Sequence, residues 1–208
     1  MEGAASQFSP LSAASPCQYM RIVGGSLKGR PLQGPRTSLI RPTADRLRES
    51  LFNILAHSYG DPAEGARVLD VFAGTGAMGF EALSRGSSFA LFIDQSFQAD
   101  RLIRRNAAAL DLLGTTRTVR RDARKLGIAG QQGRYNLAFL DPPYGRGLIT
   151  PALESLREGG WLEAHALILI EEGGGVRINL PPGFTLLEER QFGDTQVLFA
   201  AFEAPQRG

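Results

Sequence analysis

Four consecutive residues, Asp141-Pro142-Pro143-Tyr144, follow the apolar run 135–140 and combine a carboxylate, two prolines and an aromatic ring. Because proline has no backbone N–H and restricts the residue before it, the pattern predicts a buried strand that stops abruptly in a rigid loop. The Asp141 carboxylate and a proline carbonyl can accept both hydrogens of an exocyclic amine, while Tyr144 stacks on its ring. Since Asp-Pro turns are common, these residues alone leave a structural turn equally open.

A glycine-rich segment lies upstream and reads DVFAGTGAMG over residues 70–79. Gly74, Gly76 and Gly79 fit the pattern G-x-G-x-x-G, which brings the backbone close to a ligand where a strand turns into a helix. Asp94 lies 20 residues after Gly74, at the end of the next predicted strand, where a carboxylate binds ribose hydroxyls. Taken alone, the segment fits a dinucleotide site or a structural turn.

The carboxylate of Asp70 distinguishes between the possible cofactors. Beside the glycine turn it repels a pyrophosphate seated on a helix N-terminus, whereas it attracts the ammonium group of S-adenosylmethionine. Asp122, at the end of a third predicted strand, adds an acceptor for an adenine amino group. We therefore expect S-adenosylmethionine as the cofactor, and the predicted cofactor-binding residues are Asp70, Phe72, Gly74, Gly76, Asp94, Asp122 and Ala123.

The two segments together predict methyl transfer to an exocyclic amine of a nucleobase. The lone pair of such an amine is delocalised into the ring, and hydrogen bonds to Asp141 and a proline carbonyl favour a pyramidal nitrogen. Catalysis then consists mainly of positioning and electrostatics. The base must enter unpaired, which is easiest in single-stranded or looped nucleic acid. The predicted catalytic residues are Asp141, Pro142, Pro143 and Tyr144; whether Asp141 takes the proton stays open.

The elements that must position these residues alternate between strands and helices. Strands are predicted at 68–72, 89–93, 116–121, 135–140 and 166–170, and helices at 77–84 and at 96–113 with Ser96 as N-cap and Gly114 as terminator. This order predicts an α/β fold with a mostly parallel sheet that is covered by helices on both faces. Two final strands, 184–189 and 196–202, are joined without a helix and place an antiparallel strand near the C-terminal end.

Basic residues are concentrated before the glycine loop. Residues 21–48 hold seven basic side chains and one acidic one, whereas the remainder holds 16 basic and 20 acidic ones. A short hairpin is predicted at 20–36, followed by a helix capped by Thr43 that buries Leu47, Leu51, Ile54 and Leu55 and directs Arg46 and Arg48 outward. Such a surface favours contact with phosphates. The predicted RNA-contacting residues are Arg21, Lys28, Arg30, Arg41, Arg46 and Arg48.

Composition limits the remaining possibilities. The 208 residues predict a disordered tail at 1–19, a basic hairpin arm at 20–42 and a methyltransferase domain at 43–208. No apolar run reaches the roughly 18 residues that span a membrane. The single cysteine, Cys17, indicates a reducing compartment, so we expect a cytoplasmic protein. His57 and His165 lack metal-ligand spacing, so no metal is expected. We also expect a monomer.

From about Met20 onward, the sequence resembles the RsmD family of small-subunit (16S) ribosomal RNA guanine-N2 methyltransferases. The resemblance implies a Rossmann-like methyltransferase fold of class I with a seven-stranded sheet, in which Asp70, Gly74, Gly76, Asp94 and Asp122 bind the cofactor. It also implies that 141–144 hold the guanine and that the arm contacts ribosomal RNA or the small ribosomal subunit. Residues 1–19 and the replacement of a glutamate by Asp94 depart from the family pattern. The matching segments are 20–25 (MRIVGG), 28–30 (KGR), 41–53 (RPTADRLRESLFN), 70–76 (DVFAGTG), 81–86 (EALSRG) and 141–144 (DPPY).

Three alternatives remain. A DNA adenine-N6 methyltransferase shares the segment 141–144, but nothing in the chain has the length of a separate DNA-reading domain. An inactive RNA-binding module does not need the intact Asp141 and glycine loop. An NAD-dependent enzyme leaves residues 141–144 without a role.

Overall fold

The computed structural model describes residues 20–34 and 42–204, and the predicted tail at 1–19 lies outside this range. Within these residues the chain alternates between strands and helices after a short N-terminal hairpin. In order, the elements are β1 (Met20–Arg21), β2 (Pro31–Leu32), α1 (Pro42–Ser58), β3 (Arg67–Val71), α2 (Ala77–Ser84), β4 (Phe89–Asp94), α3 (Phe97–Ala109), β5 (Thr116–Arg120), β6 (Tyr135–Leu140), α4 (Ile149–Glu158), β7 (Leu162–Gly173), β8 (Phe184–Phe192) and β9 (Thr195–Phe202).

Seven of the strands form one sheet in the order β5-β4-β3-β6-β7-β9-β8. The first five of these are parallel, and β9 lies antiparallel between β7 and β8. The chain runs outward from β3 to β5 and then returns to β6 on the other side of β3. Ligands bind outside the carboxyl ends of the strands at such a reversal. The predicted mostly parallel sheet with a late antiparallel strand is confirmed.

Both faces of this sheet are buried, which explains why the central strands are apolar over most of their length. Val68 of β3 packs with the side chains of α1, α2 and α3. The next residue, Leu69, points to the opposite face and packs in the cluster that contains α4 and Trp161. Because successive strand residues alternate between faces, a strand covered on both sides needs apolar residues at most of its positions.

Some element boundaries differ from those predicted. Helix α3 stops at Ala109 because Asp111 adopts a left-handed φ of 61° and Leu112 N–H donates to the Ala107 carbonyl, 2.8 Å away. This closing bond needs no glycine, so the end predicted at Gly114 is too late. Strand β7 is longer than predicted because pairing with β9 continues to Gly173. Helix α4 was not predicted, and no side chain caps its start.

The N-terminal hairpin packs against α2. Ile22 and Leu32 are fully buried in the same core cluster as α1 and α2. The Val23 N–H donates to the Glu81 carboxylate at 2.8 Å, and the Ser26 N–H donates to the Ser84 carbonyl at 2.7 Å. The side chain of the predicted N-cap Thr43 lies outside the described part of the structure. No helix in the described residues is both long and apolar enough to cross a membrane.

The contact between hairpin and α2 depends on Gly25. This residue has a left-handed φ of 72°, and a Cβ added to it would overlap the Ser84 carbonyl oxygen. Gly29 lies in the same hairpin with a φ of 85°, but its Cβ would meet nothing within 4 Å. We therefore expect Gly29→Ala to lower the free energy of unfolding by about 1 kcal/mol through backbone strain alone. Gly25→Ala should lower it by roughly 1–3 kcal/mol more through overpacking.

Urea denaturation of the two variants measures this difference. Because both substitutions introduce the same side chain at a left-handed position, their difference isolates the contact with α2. Equal loss of stability in the two variants would show that the hairpin is not held at this point.

Candidate active site

The loop Asp141–Tyr144 begins where β6 ends. The Asp141 N–H donates to the carbonyl of Val71, the last residue of β3, at 3.4 Å. Pro142 and Pro143 then end the ladder because neither has an N–H to donate. The predicted abrupt end of the strand is confirmed, and the loop lies at the carboxyl edge of the sheet. Pro142 is buried, whereas Asp141, Pro143 and Tyr144 are accessible from the cavity in front of them.

The glycine loop connects β3 to α2 beside this site. Phe72 and Gly74 both adopt left-handed φ values, 62° and 54°, so the chain turns sharply. Gly76 precedes α2 with a φ of 79°, and a Cβ there would lie 2.7 Å from the Phe80 ring. At Gly79 a Cβ would overlap the buried Phe92 ring. Phe72 and Gly74 thus face the cavity, while Gly76 and Gly79 allow α2 to pack closely on the sheet.

Asp70 is buried at the end of β3, with 4% of its surface exposed. One carboxylate oxygen accepts the Gly79 N–H at 2.9 Å. Burial raises the pKa of Asp70 to about 7; the Gly79 bond opposes this effect, and nearby Asp94 reinforces it. A cation placed beside the group would favour its ionised form.

Asp94 ends β4 and holds the glycine loop in place. Its two oxygens accept the Gly74 N–H at 2.9 Å and the Ser96 N–H at 2.8 Å. Each carboxylate oxygen can accept more than one hydrogen bond, so capacity for ribose hydroxyls remains. The predicted N-cap of α3 is confirmed, since the Ser96 hydroxyl accepts the N–H groups of Gln98 and Ala99.

Asp122 and Ala123 follow β5 at the far side of the same cavity. Asp122 caps the short 3₁₀ helix Ala123–Lys125 and forms an ion pair with Arg124, whose Nη2 lies 2.7 Å from its carboxylate. The Arg124 side chain and its backbone N–H lower the pKa of Asp122 to about 2. Asp122 therefore stays ionised as an acceptor. Arg124 lines the cavity, and no pattern in the sequence predicted its role.

Two adjoining cavities join these residues into one site. The first has a volume of about 480 Å³ and is lined by Phe72, Gly74, Asp94, Asp122, Ala123 and the loop Asp141–Tyr144. The second has a volume of about 290 Å³ and is lined by Leu47 of α1, Thr75, Asp70 and Glu171. Phe72, Gly74 and Asp141 belong to both walls. The structure thus brings together all predicted cofactor and catalytic residues except Gly76.

Two acidic residues at the end of β7 hold the loop from the other side, and sequence reasoning missed them. The Tyr144 hydroxyl donates to Glu171 at 2.5 Å and lies 3.4 Å from the Thr195 hydroxyl. Glu172 is 1% exposed and accepts the N–H groups of Gly145 and Gly173, both at 2.9 Å. The available signal was a pair of acids directly after the apolar run 166–170.

The crowding of carboxylates changes the protonation of Asp141. Burial raises its pKa well above the ordinary value, and Glu171, Asp70 and Glu172 raise it further. Burial also raises the pKa of Glu171, and burial together with the bond to Glu171 raises that of Tyr144. A positively charged ligand would relieve this repulsion.

The predicted RNA-contacting residues do not all lie together. Arg21, Lys28 and Arg46 are exposed around one groove of about 430 Å³ between the hairpin and α1. Arg30 is also exposed, but its guanidinium donates to the carbonyl of Ala109 at the end of α3. Arg41 lies outside the described residues.

The prediction that Arg48 points outward is wrong. Its side chain is 4% exposed and donates through Nη2 to Asp45 at 2.8 Å and to the Arg21 carbonyl at 2.7 Å. Its Nε lies 3.6 Å from the buried carboxylate of Glu81. Helical periodicity could not reveal this, because a buried arginine requires a buried acid from a distant helix. Arg48 joins the hairpin, α1 and α2, and it also lines the second cavity.

The strand order, with the antiparallel strand β9 inserted between β7 and β8, and the cavity at the carboxyl edge define a Rossmann-like methyltransferase of class I. The sequence model of the family described as Conserved hypothetical protein 95 matches residues 20–201. The chain therefore belongs to this family, the RsmD family, and the resemblance seen in the sequence is confirmed.

Individual relatives agree with this assignment. Ribosomal RNA small subunit methyltransferase D of Escherichia coli K12 is 37% identical over 191 residues, which cover 91% of this chain and 92% of the relative. The protein of the same name from Haemophilus influenzae is 33% identical and covers 84% of this chain and 89% of the relative. The solved structure of Escherichia coli yhhF has a TM-score of 0.75 at 33% identity, covering 90% of this chain and 99% of that chain.

The raised pKa of Asp70 makes stability depend on pH. The folded protein binds this proton up to about pH 7, whereas the unfolded chain loses it near pH 3.9. The wild type therefore loses stability as the pH rises through this window. In the absence of ligand, we expect Asp70→Asn to gain up to about 4 kcal/mol relative to wild type between pH 4 and pH 8.

Urea denaturation at both pH values tests this expectation. The asparagine retains an acceptor for the Gly79 N–H, and Asp111→Asn at an exposed position serves as the control. A difference between Asp70→Asn and wild type that does not change with pH would contradict it.

Proposed function

We propose that the protein transfers a methyl group from S-adenosylmethionine to the exocyclic N2 amine of a guanine in small-subunit ribosomal RNA. One observation carries most of the weight: Asp141 stands on the wall shared by two cavities and is followed by a rigid proline turn. A single carboxylate can there meet both a cofactor and a base. The family relatives are named ribosomal RNA small subunit methyltransferases.

The side chains of the site fit S-adenosylmethionine better than a dinucleotide. Asp70, Asp94, Asp122 and Asp141 give the cavities an acidic lining that attracts a cation and repels pyrophosphate. Asp70 would hold the ammonium group, Asp94 the ribose hydroxyls, and Asp122 with Ala123 the adenine. When bound, the cofactor supplies a methyl group on a positively charged sulfur.

The loop Asp141–Tyr144 would then orient the guanine. The Asp141 carboxylate and the Pro142 carbonyl accept the two N–H bonds of the amine, so that the nitrogen lone pair becomes available. Tyr144 stacks on the base, and its hydrogen bond to Glu171 fixes the orientation of the ring. The raised pKa of Asp141 makes this carboxylate a better proton acceptor than an aspartate of ordinary pKa.

The RNA would approach over the groove that lies on the hairpin side of the second cavity. Its polar lining consists of Arg21, Lys28 and Arg46 together with Asp45 and Glu49. We propose that the arm 20–42 contacts phosphates while the target base leaves its stack and enters the site. We also propose a monomer that acts in the cytoplasm on the small subunit particle or its RNA.

Methyl transfer to defined acceptors tests the proposal. Purified protein and labelled S-adenosylmethionine are incubated with unmethylated small ribosomal subunits, with naked small-subunit ribosomal RNA and with DNA, followed by nucleoside analysis. We expect N2-methylguanosine in RNA. N6-methyladenosine in DNA, or no transfer to any acceptor, would overturn the proposal. The ratio of particle to naked RNA methylation identifies the preferred form of the substrate.

Asp141→Asn should separate catalysis from cofactor binding. The amide replaces one acceptor oxygen with a donor, so the amine loses a hydrogen bond and the proton acceptor is removed. We expect kcat to fall at least about 100-fold, as for other lost acid–base groups, while cofactor affinity measured by calorimetry changes less than tenfold. Loss of cofactor binding with an equal loss of kcat/KM would instead place Asp141 in the cofactor site alone.

Charge reversal in the arm should weaken RNA binding. The double variant Arg21→Glu, Lys28→Glu is compared with Arg134→Glu, Arg177→Glu, which changes the net charge equally at exposed positions outside the arm. We expect the arm variant alone to raise the Kd for small-subunit ribosomal RNA and to reduce its dependence on salt. The same Kd for both variants would remove the arm from the RNA-binding surface.

A further inference from the structure

A second basic region lies in the body of the protein. Residues 97–125 contain eight basic and three acidic side chains, although the formal net charge of the whole chain is only +2. All eight basic side chains are exposed, and they come from α3, from β5 and from the segment 121–125 after it, which contains the short 3₁₀ helix. This concentration of charge is larger than that of the described part of the arm.

An exposed aromatic ring lies at the centre of part of this region. Phe97, in the first turn of α3, is 57% exposed. The guanidinium carbons of Arg101 and Arg120 lie 5.7 and 5.8 Å from its ring centre. Arg105 follows one turn after Arg101 along the helix. We name these four residues (Phe97, Arg101, Arg105 and Arg120) the α3 surface.

The arginines of the α3 surface are only weakly compensated by neighbouring acids. Against the effect of burial, bonds from Thr118 and Arg104 lower the pKa of Asp100, and Arg120 adds to this effect. The nearest acid along the helix, Asp100, is bound by Arg104 at 3.1 Å and by the Thr118 hydroxyl. Within the described residues, Arg101, Arg105 and Arg120 form no salt bridge. Positive charge around an exposed aromatic ring suits a single-stranded nucleic acid, which carries both phosphates and planar bases.

The α3 surface is continuous with the rim of the active-site cavity. Arg120 pairs in register with Asp94, which lines that cavity. The next residue, Arg121, and Arg124 also line it. A single-stranded nucleic acid that crosses the α3 surface therefore reaches the cavity from the β5 side, whereas the arm lies on the side of α1 and the hairpin.

Protection of the sheet edge does not explain this arrangement. Strand β5 is an edge strand, and charged residues on such strands prevent pairing with other chains. However, Arg101 and Arg105 belong to a helix, where they protect no strand. An exposed phenylalanine also works against that purpose, because it adds apolar surface to the edge.

We propose that the α3 surface binds an unpaired segment of the substrate RNA next to the target nucleotide. Phosphates would lie on Arg101, Arg105 and Arg120, and one base would stack on Phe97, whose ring is flanked by guanidinium groups. This inference rests on the proposed function, because it takes RNA as the substrate. It adds a second point of contact, on the side of the cavity away from the arm.

The test compares variants with equal changes of charge. Arg101→Gln, Arg105→Gln is set against Arg134→Gln, Arg177→Gln in filter binding to naked small-subunit ribosomal RNA at several salt concentrations. We expect the first pair alone to raise Kd about tenfold and to lower the slope of log K against log salt by about 1–2. Phe97→Ala should raise Kd at least about fivefold, whereas Phe97→Trp should preserve binding and Ile128→Ala should have no effect.

Turnover and light scattering complete the test. We expect Arg101→Gln, Arg105→Gln to raise KM for RNA while kcat and cofactor affinity stay near the wild-type values. Equal Kd values for the two pairs of variants would overturn the proposal. It would also be overturned if Arg101→Gln, Arg105→Gln bound RNA normally but self-associated in light scattering, which indicates edge protection. Normal RNA binding by this variant together with lost binding to an acidic ribosomal protein would overturn it as well. Because the binding experiment requires no catalysis, it decides on the α3 surface even if the wild type forms no N2-methylguanosine.

Discussion

Repulsion among carboxyl groups at the carboxyl edge of the sheet governs this site. Asp70, Asp141, Glu171 and Glu172 come from the ends of three neighbouring strands, and the burial of Asp70 and Glu172 removes the water that would otherwise screen these two groups. Backbone N–H groups stabilise Asp70 and Glu172, but Asp141 meets three other acids and holds its proton more tightly than usual. A ligand with fixed positive charge relieves this repulsion, whereas an anionic ligand increases it.

The remaining contacts keep these groups in place while their charge state changes. Asp94 fixes the glycine loop through the Gly74 N–H, and Glu172 fixes the start of the segment after Tyr144 through the Gly145 N–H. Glu81 performs a similar role further away, since it bonds to the hairpin and lies beside Arg48. The groove proposed for RNA and the cavity proposed for the cofactor are therefore attached to the same helices and strands.

The sequence was most informative where chemistry is local. The prolines after Asp141 end a strand wherever they stand, and the glycine pattern required a tight turn, so both segments were predicted at their observed positions. Contacts between distant segments were not predictable in this way. The burial of Arg48 depends on Glu81, and the end of α3 depends on a left-handed Asp111 in place of a glycine. Glu171 and Glu172 at the end of β7 were missed because their partners, Tyr144 and Gly145, lie in another loop.

Complementarity to a cation is tested most directly by counting the protons released when S-adenosylmethionine binds. Calorimetry near pH 7 in two buffers with different ionisation enthalpies gives this number. We predict release of roughly one proton, because binding of a cation favours ionised Asp70 and Asp141. S-adenosylhomocysteine, which lacks the sulfonium charge, should release fewer. Heats that do not depend on the buffer for either ligand would contradict a site built around buried carboxylates and a positive cofactor.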